Sequence, residues 1–274
     1  MIFDLDGVVY RGAEAIPGAV GLISWLHERD VLVRYATNNS MSSPETYVHR
    51  LAGLGIDARA DEIVTSTSAT IGYLQRHEPG VRRVLAAGAP GMTAELHRAG
   101  FETTAAQDAV PDVYDGGPLG ERYDAVVAGL DQESSYRRIA AAATAIREGA
   151  RFIATNADLR YPTRHGFLPG AGSIVAAIRA AAGDVEPLVI GKPGPAMFAE
   201  TLEGAGIGPE EAIVVGDNPD ADIVAAHRSG VFSILVLTGV ADEEMLPLLA
   251  GERRPDVVAG GPPELRELLG AWLS

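Results

Sequence analysis

The chain has 274 residues, 47% apolar and 22% charged, a globular balance that excludes disorder and leaves room for one large domain or two modest ones. Its net charge of −15, with no Lys/Arg-rich run, sets nucleic-acid binding aside, and the absence of cysteine excludes disulfides, thiolate catalysis and thiolate-ligated metals. No apolar run approaches the ~20 residues that span a bilayer and no basic region precedes the first apolar residues, so neither a membrane partner nor a signal peptide is expected, and a cytoplasmic location is.

Ile2 to Leu5 reads as a short buried strand that runs into Asp4-Leu5-Asp6-Gly7. Side chains alternate along an extended strand, so Asp4 and Asp6 point the same way with Leu5 opposite. Gly7 then permits a turn where a Cβ would clash. Two carboxylates so placed repel each other unless a cation sits between them, and a divalent metal is the simplest choice. Val20, Ile23, Trp25 and Leu26 give helical spacing over 17–28. A strand follows over 31–36 and ends at Thr37-Asn38-Asn39-Ser40. Ser43-Pro44-Glu45 has the form of a helix start, and Gly55 stops that helix. Ile63 to Ser66 is a third strand, with a helix behind it.

From Pro79 the rhythm restarts, with strands at 84–88, 124–129 and 152–155 and helices at 92–99 and 136–147. A Gly/Pro-rich loop spans 156–172 and leads into a helix ending near Ala182. A last stretch has strands at 188–191, 212–216 and 233–237, and helices at 195–203, 221–228 and 263–272. Short apolar strands alternating with helices predict an α/β fold, a doubly wound parallel sheet with helices on both faces. In such sheets the site lies beyond the carboxyl ends of the strands. Asp4 and Asp6, Thr37 to Asn39, Lys192 and Asp217 all follow apolar strand runs. The middle section has no comparable acid cluster, so residues 79–185 read as a second α/β domain inserted into a core of 1–78 and 186–274.

This constellation suits phosphoryl transfer, which needs an in-line nucleophile and charge neutralisation. Asp4 is placed to be the nucleophile, and Asp6 to act as general acid and then as base. Asp217, with Asp4 and a carbonyl, makes an all-oxygen site that suits Mg²⁺. Asp222 either holds a metal-bound water or the Lys192 ammonium. Asp220 reads as the cap of the helix that follows it. Thr37, Asn38 and Asn39 offer a hydroxyl, amides and backbone N–H groups to phosphate oxygens. Lys192 is the only lysine among 22 basic residues. It lies between Gly191 and Pro193, which restrict the backbone and aim its ammonium at a phosphate. His165, in the loop of the inserted domain, reads as a surface residue.

Asp4-Leu5-Asp6-Gly7, Thr37-Asn38-Asn39, Gly191-Lys192-Pro193 and Gly216-Asp217-(x4)-Asp222 resemble, in order and spacing, the motifs of the haloacid dehalogenase superfamily. The insert between the second and third motifs resembles the class with a large α/β cap. That class includes phosphatases of p-nitrophenyl phosphate, phosphoglycolate, glycerol phosphate, pyridoxal phosphate and nucleotides. The resemblance implies Asp4 as nucleophile, Asp6 as acid/base, and Thr37 and Lys192 as phosphate ligands. It implies Mg²⁺ on the Asp4 side chain, the Asp6 carbonyl and Asp217, with Asp222 in support. It implies a small phosphorylated metabolite as substrate, a cap loop around 155–170 that closes over it, and a homodimer through the cap.

Tyr161 takes the place of a substrate-contacting histidine expected in pyridoxal-phosphate phosphatases, and Met41 replaces a basic residue that some relatives carry. Relatives also have more residues before the nucleophile, so either the first strand is short or the true start lies upstream. A competing class is a receiver-like signalling module that binds phosphate without turnover. Receivers are small, lack a cap and lack an acid in the place of Asp6.

Overall fold

The computed structural model describes residues 1–109, 116–163 and 166–273. In chain order its elements begin β1 (Ile2–Phe3), β2 (Tyr10–Arg11), β3 (Glu14–Ala15), α1 (Ala19–His27), β4 (Arg34–Thr37), α2 (Pro44–Gly53), β5 (Ile63–Thr65) and α3 (Ser66–His77). They continue with β6 (Arg83–Ala87), α4 (Pro90–Arg98), β7 (Glu102–Ala105), β8 (Ala125–Ala128), α5 (Tyr136–Arg147), β9 (Arg151–Ala154), β10 (Arg160–Thr163), β11 (Gly166–Pro169), α6 (Ala171–Ala181) and β12 (Leu188–Val189). Last come α7 (Ala196–Ala205), β13 (Ile213–Gly216), α8 (Val224–Arg228), β14 (Phe232–Val236), β15 (Val257–Ala259) and α9 (Pro262–Trp272).

Local chemistry fixes many of these boundaries. Thr65 and Ser68 exchange side chain-to-backbone bonds at 2.9 and 3.0 Å, a reciprocal cap that starts α3. Pro44 opens α2, where a missing N–H costs nothing. Gly206, at φ +68°, ends α7 in the left-handed conformation. The Ala-rich α5 buries Ala141, Ala142, Ala143 and Ala145, and packs against α6.

The chain divides into two compact units, residues 1–37, 44–64 and 192–274, and residues 38–43 and 65–191. The first holds a sheet of order β15-β14-β13-β1-β4-β5, in which β15 to β4 pair in parallel. The core around it joins Phe3, Tyr35 and Val215 from the strands to Leu26, Leu51 and Leu265 from the helices. The second unit holds a parallel sheet of order β12-β9-β8-β6-β7. This is the α/β architecture expected from the sequence.

Several expectations are corrected. The 188–191 strand does not join the first sheet. Leu188 and Val189 pair with Ile153 and Ala154, so 186–191 group with the insert. Residues 65–78 also group with it, because α3 packs on α4. The 156–172 loop contains an antiparallel hairpin, with Tyr161 opposite Leu168. Its two strands carry prolines, and β11 is exposed throughout, so no in-out alternation marks it. Asp220 is not the cap of its helix. Asn218 accepts the Asp220 N–H at 3.0 Å, and Asp220 pairs with Arg253 at 2.7 Å.

The order of the second sheet reverses between β6 and β8, the position at which open α/β sheets bind ligands. Here the chain fills that position itself. Ser40 Oγ accepts the Leu130 N–H at 3.0 Å, just past the end of β8. A Cβ on Gly91, at the start of α4, would lie 2.4 Å from the carbonyl oxygen of Met41. Helical glycines ordinarily gain ~0.5–1 kcal/mol on conversion to alanine. Gly21 in α1 has open space at its Cβ position and should follow that rule. Gly91→Ala should instead lose about 1–3 kcal/mol by overpacking. Urea denaturation of the two variants checks this, and stabilisation by both would contradict the packing at Met41.

Candidate active site

In the first sheet the order reverses between β1 and β13. Asp4 and Asp217 are the residues that follow these two strands, and the Asp4 N–H is tied to Val215 O at 2.9 Å. Both acids therefore stand at the carboxyl edge where the strand order switches. Thr37, buried, ends β4 two residues beyond Tyr35, which pairs with Phe3.

Lys192 opens the last segment of this unit, and its bond to Pro193 is cis. Its ammonium donates to Asp4 Oδ1 at 2.5 Å and to Ala36 O at 3.1 Å, and it lies 2.7 Å from Asp222 Oδ1. The three acceptors match its three N–H groups. Its side chain is 3% exposed. Burial disfavours the charged form, but Asp222 and Asp4 outweigh it and hold the Lys192 pKa above its ordinary value.

Asp222 is as deeply buried as the lysine. Its Oδ2 accepts the Asp217 and Asn218 N–H groups at 3.2 and 3.0 Å. One carboxylate thus fixes both the ammonium and the turn that presents Asp217. Asp217 Oδ2 accepts the Val240 N–H at 2.7 Å. The Asp217 carboxylate is sandwiched so closely that a Cβ on Gly7 or Gly239 would fall 2.4 or 1.8 Å from Oδ2. Gly7, at φ +83°, therefore serves both the turn and the close approach.

Carboxylate oxygens of Asp4, Asp217 and Asp222 lie within 4.8 Å of one another. Burial, with the neighbouring carboxylates, raises the Asp4 pKa well above the usual range, although Lys192 opposes it. The same causes, burial and then Asp222, push Asp217 up to about 7. One ammonium does not balance three convergent carboxylates, and a hard divalent cation with oxygen ligands fits the donor set.

The Asp6 backbone bridges to Tyr10, and Gly7 N donates to Tyr10 O at 2.8 Å. The Asp6 side chain is exposed at the residue level. Its pKa is raised, chiefly by desolvation, against the opposing influence of Arg50, Tyr10 and Lys192.

The remaining expected residues belong to the second unit. Asn38 Nδ2 donates to Asp158 Oδ2 at 2.9 Å, and Asn156 Nδ2 donates to the same oxygen at 2.8 Å. Asn39 Oδ1 accepts the Met41 N–H at 2.8 Å, closing a local turn. Tyr161 is half-buried on β10. His165 lies outside the described residues.

Sequence reasoning missed Val240 and Gly239, and read Asp158 only as part of the 155–170 loop. Only Gly239 carried a signal, as a glycine just after an apolar strand.

Residues 1–102 match the family described as haloacid dehalogenase-like hydrolase, and residues 189–265 match a second model of such hydrolases. The acid sugar phosphatase of Staphylococcus aureus (strain MRSA252) is 37% identical over 243 residues, 89% of this chain and 88% of its own. The chain is a haloacid dehalogenase-like hydrolase. The structure of a p-nitrophenyl phosphatase from Archaeoglobus fulgidus matches this hydrolase with a TM-score of 0.85 and 31% identity, covering 97% of both chains. A glycerol phosphate phosphatase from Mycobacterium tuberculosis, in complex with magnesium, matches with a TM-score of 0.84 and 34% identity, over 97% of this chain and 76% of that one. These relatives establish the hydrolase as a phosphoric monoester hydrolase. Among the described residues, no helix is long and apolar enough to cross a membrane.

Because these carboxylates must lose protons to bind a metal, added Mg²⁺ should raise the thermal midpoint more near pH 8 than near pH 6. The sign follows from Asp217, whose value of about 7 leaves it partly protonated at the lower pH, and the Asp4 pKa is raised in the same direction. Differential scanning fluorimetry reads both shifts. Equal shifts at the two pH values, or a pH-dependent shift retained in Asp217→Asn, would count against the site.

Proposed function

We propose that this hydrolase cleaves a small phosphomonoester through an aspartyl-phosphate on Asp4, with Mg²⁺ as cofactor. The observation that carries the reading is the ammonium of Lys192, 2.5 Å from Asp4 Oδ1, beside three convergent carboxylates. The Asp4 side chain, the Asp6 carbonyl and Asp217 would hold the ion, with Asp222 in support. When bound, it supplies positive charge beside the phosphoryl oxygens and the nucleophile.

An Asp4 oxygen forms a bond to phosphorus as the ester P–O bond breaks, and the electron pair leaves on the ester oxygen. The Asp6 carboxyl group gives that oxygen a proton. Asp6, now a carboxylate, takes a proton from water as the water oxygen attacks phosphorus. The P–O bond to Asp4 then breaks and phosphate leaves. Lys192 and Thr37, with Asn38 and Asn39, neutralise and orient the phosphoryl oxygens. The overall charge of −15 repels anions at long range, so Lys192 has to attract the substrate locally.

The substrate is a sugar phosphate, glycerol phosphate, nucleoside monophosphate or phosphoglycolate, with p-nitrophenyl phosphate as a surrogate. The names of the relatives favour the first two. The insert serves as the specificity cap, and Tyr161 as one of its substrate contacts. The reading includes a cytoplasmic location and a homodimer through the insert, which size-exclusion chromatography tests. A receiver-like, phosphate-binding role without turnover is disfavoured by Asp6, which such modules lack.

Asp4→Asn should abolish Mg²⁺-dependent p-nitrophenyl phosphate hydrolysis while the protein stays folded, and activity retained in that variant would remove Asp4 as nucleophile. Lys192→Arg should lower kcat about 100-fold or more, because a planar fork does not fit three acceptors arranged around a single nitrogen. Near-normal turnover would contradict the role of the lysine.

A further inference from the structure

We propose that Thr238 sets the width of the ion site, because its hydroxyl ties the loop after β1 to the segment that holds Asp217. The inference rests on the reading, given above, of the Asp4 side chain, the Asp6 carbonyl and Asp217 as the groups that would hold Mg²⁺. Those groups come from two different strand ends. An ion that demands short, nearly uniform oxygen distances needs the gap between the two ends to be fixed.

The segment after β14 spans that gap. In the sheet β14 lies beside β13, and β1 lies on the far side of β13. Neighbouring strands are about 4.8 Å apart, so a chain leaving β14 has to cross the end of β13 to reach the loop after β1. Residues 238–241 make that crossing. Thr238 Oγ1 donates to Gly7 O at 2.6 Å. Val240 N donates to Asp217 Oδ2 at 2.7 Å, and Ala241 N donates to Asp217 O at 3.0 Å. Between these contacts comes Gly239, where a Cβ would lie 1.8 Å from Asp217 Oδ2. One short segment therefore holds Asp217 by side chain and backbone at one end and the loop after β1 at the other.

The Thr238 contact falls where that loop is softest. Gly7 has φ +83° and no Cβ to restrict it. Peptide units are planar, so the Asp6–Gly7 plane sets the direction of the Asp6 carbonyl, and the Gly7–Val8 plane carries Gly7 O. The first plane is held through Gly7 N, which donates to Tyr10 O at 2.8 Å. The second is held by the Thr238 hydroxyl. With both planes pinned, the two dihedrals of Gly7 are fixed and the Asp6 carbonyl keeps its aim. Arg11, on β2, braces the segment from outside, with Nη2 donating to Thr238 O at 2.5 Å. Thr238 acts through Gly7 and Asp217, and is a positioning residue.

Mn²⁺ binding, read by electron paramagnetic resonance at one pH with Mg²⁺ as competitor, separates positioning from mere support. Mn²⁺ shares the oxygen ligands and octahedral preference of Mg²⁺. Thr238→Val keeps the shape of the side chain and removes the donor. It should weaken binding of both ions about 10-fold or more, as loss of a group that orients a ligand does. Thr238→Ser, which keeps the donor, should return to within about 3-fold of the native affinity. A merely structural threonine would instead lower the ion-free thermal midpoint and leave both affinities unchanged.

Asp217→Asn is the reference, with the largest loss. If Asp217→Asn binds Mn²⁺ as tightly as the native protein, the ion-site reading itself fails. If Asp217→Asn loses binding while Thr238→Val keeps the native affinity, or Thr238→Ser binds no better than Thr238→Val, the role of Thr238 is overturned. Should Thr238→Val fail to fold by circular dichroism, Arg11→Ala, which loosens the same segment from its exposed side, carries the test. A loss of about 3-fold is then expected, and native affinity overturns the proposal.

Discussion

The geometry of the first unit depends on one buried ammonium. Lys192 takes Asp4 from the end of one strand, Ala36 from a second and Asp222 from the turn after a third, and ties them to one nitrogen. Removing one partner of such a buried pair typically costs ~3–5 kcal/mol, because the other charge remains out of water. The lysine therefore shapes the site as well as neutralising it. Asp222 completes the arrangement by spending its other oxygen on the N–H groups that present Asp217.

This division of labour explains why four acids near one centre behave differently. Asp222 is committed to Lys192 and to two backbone donors. Asp217 is enclosed by two glycines and held by Val240, which fixes its direction. Asp4 meets the lysine on one side, and Asp6 stays exposed. A group that must bond to phosphorus benefits from being fixed, and a group that must exchange protons benefits from access to solvent. The four environments suit the proposed roles of Asp4 and Asp6 in that respect.

Much of this was legible in the sequence because strands of four to six apolar residues ending in polar ones announce a parallel sheet and its active edge. Asp4, Thr37 and Asp217 sit at strand ends as the pattern requires. Lys192 also follows an apolar run, but that run pairs with Ile153 and Ala154 in the other sheet. Periodicity reports that a segment is a strand and is silent on its partner. The 160–169 hairpin was illegible for a different reason, since a pattern appears only where one face is buried and its second strand is exposed throughout. The Asn38–Asp158 and Asp217–Val240 contacts join residues more than twenty positions apart, through backbone groups or a single oxygen, and no local spacing encodes them.

The plug formed by Ser40 and Met41 has a consequence for what counts as a domain. The second sheet reverses its strand order between β6 and β8, yet Ser40 and Met41 pack there, from a six-residue segment that lies, in sequence, between two stretches of the first unit. Excised along its continuous stretch of 65–191, the insert would lose the segment that satisfies the Leu130 N–H and covers Gly91. It would then resemble an apoprotein awaiting its ligand. The insert is in this sense a holo-form whose cofactor is peptide, and its autonomy ends at the chain that enters it.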